Sequence, residues 1–243
     1  MELKSYLNYL VDFIRDEVKN AHCEGVIIGI SGGIDSAVVA ALAKQAFPEN
    51  HLCVGMPCES SDLDEQAKDE LISALDIKHI SVDVKPMFDI FKDEMNRDIK
   101  QSDLALANSK ARLRMTTLYS LAQTKKYLVL GTDNMDEGYI GYFTKFGDGG
   151  CDLLPIVHLT KGEVREAAKI LGVPEIIISR PPTASLGEGQ TDEKEIGFSY
   201  DAIDEYLLTK KSNQDLVDRI EGLHKISEHK RHGAAQPKEF ERD

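Results

Sequence analysis

Cysteine is scarce in this sequence. Four occur in 243 residues, at positions 23, 53, 58 and 151, without CxxC spacing and without histidines at zinc-site spacing. A chain of this length builds its core without covalent staples, so the four are expected to be free thiols. Long apolar runs are also missing. No stretch approaches the roughly 18 residues of a membrane span, and MELKSYLNYL carries Glu2 and Lys4 where a secretory leader has an apolar core. Those two absences predict a cytoplasmic protein that stays off membranes. Positive charge is in short supply, with 29 Lys and Arg against 42 Asp and Glu, a formal net charge of −13. A surface of that sign repels nucleic acid and anionic lipid. Internal repeats, linkers and low-complexity tracts are absent too, and the expectation is a single domain over residues 1–243.

What is present is an alternation of two periodicities. Leu3, Leu7, Leu10 and Ile14 recur at helical spacing over residues 2–20. A short β-branched run follows at 26–30, then a Gly-Gly turn and an Ala/Val-rich helix over 36–47. Strand, helix, strand and helix repeat over 52–56, 62–75, 79–84 and 86–100. A long helix over 103–124 leads to a buried strand at 127–130. This order predicts an α/β fold, an open parallel sheet with helices on both faces, Rossmann-like, with further helices over 160–171, 199–209 and 212–228. Residues 131–160 are rich in glycine and unassigned by pattern. RPPTASLGEGQTD has almost nothing to bury, so 183–192 is expected to be a mobile loop.

The sequence GISGGIDS, Gly29 to Ser36, lies where the first such strand ends and a helix begins. Ligands of open α/β sheets bind at that position. Gly32 and Gly33 allow close backbone approach, and the helix N-terminus adds partial positive charge, so phosphate is the natural guest. The loop is neither GxxxxGK[ST] nor GxGxxG, which excludes most kinases, GTPases and dehydrogenases. The bland alternative is an ordinary turn in which Asp35 and Ser36 cap the helix. Thr160 and Glu163 read as a capping box. Lys161 between them is a cation in a first helical turn, where the helix dipole disfavours it, and it calls for a nearby anion.

SGGIDS resembles the SGGxDS pyrophosphate loop of the N-type ATP pyrophosphatase superfamily, whose members adenylate an acceptor and release pyrophosphate. GTDNMDEGYIGYFTKFGDGGCDLLPIVHLTKGEVR, Gly131 to Arg165, is similar to the signature of ammonia-dependent NAD synthetases, and PPTASLGEGQTDEKEIGFSYDAIDEYL extends the similarity. It covers nearly the whole chain and leaves no room for a glutaminase domain. The resemblance implies amidation of deamido-NAD by ammonia, with ATP as co-substrate and Mg2+, through an adenylated nicotinate, in a homodimer.

Carried over position by position, it implies ATP contacts at Gly29, Ile30, Ser31, Gly32, Gly33, Ile34, Asp35, Ser36, Thr132, Lys161 and Thr183. Asp35 and Glu137 are implied for magnesium, and Arg112, Lys145, Asp152, His229 and Lys230 for deamido-NAD. Arg112 has the alternative of a solvated helix face beside Lys110 and Arg114. No residue is assigned as an obligatory acid or base. Tyr139, Tyr142, Phe143 and Phe146 either pack on the pyridine ring or anchor their loop. The apolar faces of the first helix and of the 103–124 helix are the expected dimer interface. Two rival readings keep part of this: the same adenylation with a tRNA or xanthosine monophosphate acceptor, and a non-catalytic nucleotide-binding module. The acidic balance opposes tRNA, and the segment 131–165 opposes xanthosine monophosphate.

Overall fold

The computed structural model describes residues 2–180 and 192–242, so Thr183 and most of the expected 183–192 loop lie outside the described residues. Among those described, four strands, Gly25–Ile30 (β1), His51–Gly55 (β2), His79–Ser81 (β3) and Tyr127–Leu130 (β4), form one sheet. Its order is β3-β2-β1-β4 and every neighbouring pair is parallel. Leu3–Asn20 (α1) precedes β1, Ile34–Ala46 (α2) crosses to β2, and Asp62–Leu75 (α3) crosses to β3. Lys85–Met95 (α4) and Asp103–Lys125 (α5) then bring the chain back to β4 on the opposite side of β1. That reversal opens a crevice at the carboxyl ends of β1 and β4.

The strands alternate as a sheet covered on both faces requires. Val26, Ile28 and Ile30 enter one core with α1, α2 and Met-free Ala/Val surfaces of Lys161–Ile170 (α7), while Ile27 enters the other with Val84, Phe88, Leu118 and Ala122. α2 is buried nearly all round, which fixes the helix that follows the glycine loop. A third cluster, built on Ile140, Ile196, Tyr200, Ile203 and Ile220, joins Met135–Ile140 (α6) to the C-terminal helices. Those helices are Asp192–Ile196 (α9), Tyr200–Thr209 (α10), Gln214–Ile226 (α11) and Glu228–Arg231 (α12), with Glu175–Ile178 (α8) preceding them in the chain.

The differences from the sequence pattern have local causes. The strand expected over 79–84 stops at Ser81, because Asp83 accepts the Lys85 N–H at 2.9 Å and turns the chain into α4. The helix expected to reach residue 100 ends at Met95, where Asn96 turns its side-chain oxygen to the Gln101 N–H at 2.8 Å. Within 131–160 the chain forms α6 and a parallel bridge between Leu130 and Leu153.

The expected role of α1 in a dimer interface is corrected. Its apolar face, Leu7, Leu10, Val11, Ile14 and Val18, is consumed by the chain's own core. α5 differs, with only Leu118 and Ala122 buried and Leu104 exposed, beside exposed Ile90, Met95 and Ile99 around α4. Among the described residues, no helix is long and apolar enough to cross a membrane.

Candidate active site

Gly29 and Ile30 are the last residues of β1, and Ile34, Asp35 and Ser36 already belong to the first turn of α2, so the loop proper is Ser31-Gly32-Gly33. Gly32 has φ +84°, and a Cβ there would lie 2.6 Å from the Asp64 carbonyl oxygen, so both backbone and space demand glycine. Gly33 is the N-cap of α2, and no side chain caps it. Ser36 instead donates back to the Gly33 carbonyl at 2.9 Å and accepts the Ser31 N–H at 3.3 Å, stiffening the loop from within. The capping alternative for Asp35 and Ser36 therefore fails, and the positive end of α2 faces the crevice uncapped.

Asp35 reaches across that crevice. Its Oδ1 accepts the Asn134 side-chain amide at 2.9 Å and its Oδ2 accepts the Lys161 ammonium at 2.6 Å. The same ammonium donates to Glu137 Oε1 at 3.0 Å, an oxygen that also accepts the Tyr200 hydroxyl at 3.1 Å. Lys161 is 2% exposed, and its Nζ stands 4.6 Å from the centroid of the Tyr200 ring. Burial works against the Lys161 charge, but Asp35 and Glu137 overcome it and hold its pKa above the usual lysine range. Burial pushes Glu137 up to about 7, with Lys161 opposing the shift and Asp35 adding to it.

Local structure delivers each member. Asn134 is the N-cap of α6, accepting the N–H groups of Asp136 and Glu137 at 3.0 Å each, and its capping box aims Glu137 inward. Thr160 and Glu163 form the expected box on α7. The next two amides of α7 are taken as well: Lys161 N–H by Asp136 at 2.6 Å and Asp204 at 3.3 Å, and Gly162 N–H by Asp204 at 2.8 Å. The anions that Lys161 calls for are thus the protein's own carboxylates. Asp136 is pushed up to about 8 by burial, with Asp204 the next contributor.

Arg112, Lys145, His229 and Lys230 gather on a second patch. Arg112 is exposed and donates to the Lys145 carbonyl at 3.3 Å. The Lys145 ammonium donates to the carbonyls of His229 and, at 2.8 Å, of His232, while His229 Nδ1 meets the Ile226 carbonyl at 3.2 Å. Lys230 donates to the carbonyls of Gly141 and Phe143, both at 2.8 Å. Asp152 stands apart, its oxygens accepting the Tyr119 hydroxyl at 2.9 Å and the Val129 N–H at 2.8 Å. Thr132 is half-buried between β4 and Asn134.

The aromatic group divides. Tyr139 stacks on His224 with centroids 4.1 Å apart, and Tyr142 donates to Glu195 at 2.8 Å, so these two anchor the loop, whereas Phe146 is 61% exposed. All four cysteines are free. Burial pushes Cys53 and Cys151 up to about 12, so neither is a thiolate at neutral pH.

Asn134, Asp136, Asp204, Tyr200 and Asp192 were missing from the sequence-derived site. Asn134-x-x-Glu137 is a legible N-cap pattern directly after a strand, but the other four carry no local signal.

Two carboxylates and a buried lysine thus meet at the switch point beside an uncapped helix. A model of the family described as NAD synthase matches residues 6–234. The chain belongs to that family. It is 61% identical to the NH(3)-dependent NAD(+) synthetase of Mesoplasma florum over 243 residues, covering 100% of each chain. Among solved structures, it resembles an NMN synthetase from Francisella tularensis at TM-score 0.93 and 40% identity, covering 98% of this chain and 99% of that one. It also resembles the NH3-dependent NAD synthetase of Campylobacter jejuni at TM-score 0.80 and 30% identity, covering 99% and 100% of the two chains. Membership supplies what the expectation for residues 131–165 required.

Proposed function

We propose that this enzyme amidates deamido-NAD with ammonia, consuming ATP and releasing NAD, AMP and pyrophosphate. The nicotinate carboxylate attacks the α-phosphorus of ATP, pyrophosphate leaves, and ammonia then displaces AMP from the acyl-adenylate. The observation that carries this reading is the meeting of Asp35, Glu137 and Lys161 at the uncapped end of α2, in a chain that matches an NH(3)-dependent relative end to end.

Residues Gly29 to Ser36 bind the triphosphate, with the amides of the loop and of the first turn of α2 pointing at its oxygens. Thr132 and Thr183 contribute hydroxyls, and Lys161 pairs with phosphate once it leaves its carboxylates. Asp35 Oδ2 and Glu137 Oε1 already converge on one cation, the Lys161 ammonium, and hard carboxylate oxygens in that arrangement suit Mg2+. Asp35 and Glu137 would hold Mg2+, which would supply charge screening for the triphosphate and the leaving pyrophosphate. Among the described residues no three metal-binding side chains converge.

Arg112, Lys145, Asp152, His229 and Lys230 bind the acceptor. The cations hold its phosphates and carboxylate, exchanging the backbone carbonyls they now touch for charged oxygens. The protein works in the cytoplasm as a homodimer joined through the open face of α5 and α4. Sedimentation at micromolar concentration is expected to give the dimer, and a fully active monomer overturns that.

The similarity to an NMN synthetase favours one second reading, in which the acceptor is the nicotinate mononucleotide. ³¹P NMR with Mg-ATP, ammonium and either acceptor separates the two. NAD, AMP and pyrophosphate formed faster with the dinucleotide support the main reading. Turnover with the mononucleotide alone overturns it, and turnover with neither removes the amidation altogether.

A further inference from the structure

Tyr200 was given no role in the sequence-derived site, yet the charged cluster rests on it. It is the first residue of α10, it is fully buried, and Ser199 caps the helix through the Ala202 N–H. Its hydroxyl lies 3.1 Å from Glu137 Oε1 and 3.3 Å from Asp192 Oδ2. Its ring lies under the Lys161 ammonium. Asp192 has a second neighbour in the Tyr142 hydroxyl, at 3.4 Å.

Glu137 Oε1 therefore accepts two donors, Lys161 Nζ and Tyr200 Oη, while Oε2, among the described residues, meets only the Asn134 N–H, at 3.5 Å. A cation arriving with ATP competes with the ammonium for Oε1 and for Asp35 Oδ2. When Lys161 turns to phosphate, Tyr200 is the donor left to stop the Glu137 carboxylate from rotating. A phenol has one proton, so at any moment it serves Glu137 or Asp192 and not both.

We propose that Tyr200 is a positioning residue of the ATP site, with two separable parts. The hydroxyl fixes the Glu137 carboxylate toward the cation, and the ring seats the Lys161 ammonium. This rests on the reading of Asp35 and Glu137 as the cation-binding pair. Partners that orient a metal ligand are worth about 10- to 100-fold in metal affinity.

The test is a Mn2+ titration followed by electron paramagnetic resonance, with α,β-methylene-ATP present, on the full chain. Tyr200→Phe keeps the ring and loses the hydroxyl, and it is expected to weaken Mn2+ binding about 10-fold with little change in the KM for ATP. Tyr200→Leu loses both and is expected to raise that KM as well. Glu137→Gln separates the two readings. If it weakens Mn2+ binding and Tyr200→Phe does not, the role of Tyr200 is overturned and the metal pair stands. If Glu137→Gln has no effect, the pair falls and the proposal with it. A lower urea midpoint for Tyr200→Phe with unchanged Mn2+ affinity marks a purely structural side chain and also overturns the proposal. Should Tyr200→Phe fail to fold, Asp192→Ala gives the converse. With its competing acceptor gone, the phenol stays on Glu137, and Mn2+ binding about 3-fold tighter is expected, whereas no change overturns the proposal.

Discussion

Two helices present their N-termini to one crevice and finish them in opposite ways. α7 is closed by Thr160, Asp136 and Asp204, which take its first amides. α2 begins at Gly33 with no side-chain cap at all. A helix N-terminus carries roughly half a positive charge. In α7 the protein's own carboxylates absorb it, and that lets a lysine occupy the first turn. In α2 it is left for an anion from outside. The closed end thus builds the machinery, and the open end receives the substrate.

The most severe way to break this contrast is Lys161→Met. Asp35 and Glu137 would be left facing each other in a buried cluster, and a loss of about 3–5 kcal/mol is expected from urea unfolding. A loss below about 1 kcal/mol would mean that the open end of α2 already neutralises the pair. Gly32→Ala strikes the other helix. The left-handed backbone and the 2.6 Å approach to the Asp64 carbonyl predict about 1–3 kcal/mol of destabilisation, together with a raised KM for ATP. Unchanged ATP affinity would separate the loop from nucleotide binding.

Thr160→Val removes one cap from a helix that has several, and about 1 kcal/mol is expected by the same unfolding measurement. Asp136→Asn should act in the opposite direction, raising stability at neutral and alkaline pH. Burial and Asp204 raise the folded pKa of Asp136 from an ordinary 3.8 to about 8. Folding therefore favours its protonated form, and the stability it contributes is complete below the unfolded value and lost as pH rises toward the folded one. Asparagine stays neutral throughout. The variant is expected to match the parent only near pH 4 and to exceed it by a margin that grows through neutral pH to about 8, and a variant weaker at both ends overturns that assignment.

Much of this contrast was legible in the chain. Thr160-x-x-Glu163 and the glycines after β1 announce themselves through spacings of a few residues, since caps and tight turns are made by near neighbours. An anion is expected beside Lys161, and within the protein Asp35 and Glu137 supply it. Pattern reading also gave α1 an outward apolar face that the core in fact consumes, because periodicity reports that a face is buried and not what buries it. Nor does spacing reveal that the Asp152 oxygens accept from Val129 and Tyr119 along the edge of β4.

The sequence by itself determined the alternation of strands and helices, the glycine loop and the family, all of which are written in short windows or in overall similarity. Only the tertiary structure decided that Lys161 meets Asp35 across 126 residues and that Tyr200 reaches Glu137 across 63. The physical reason is that turns and capping boxes close over a few residues of chain. A buried charge must be paired by whatever the fold brings within hydrogen-bond reach.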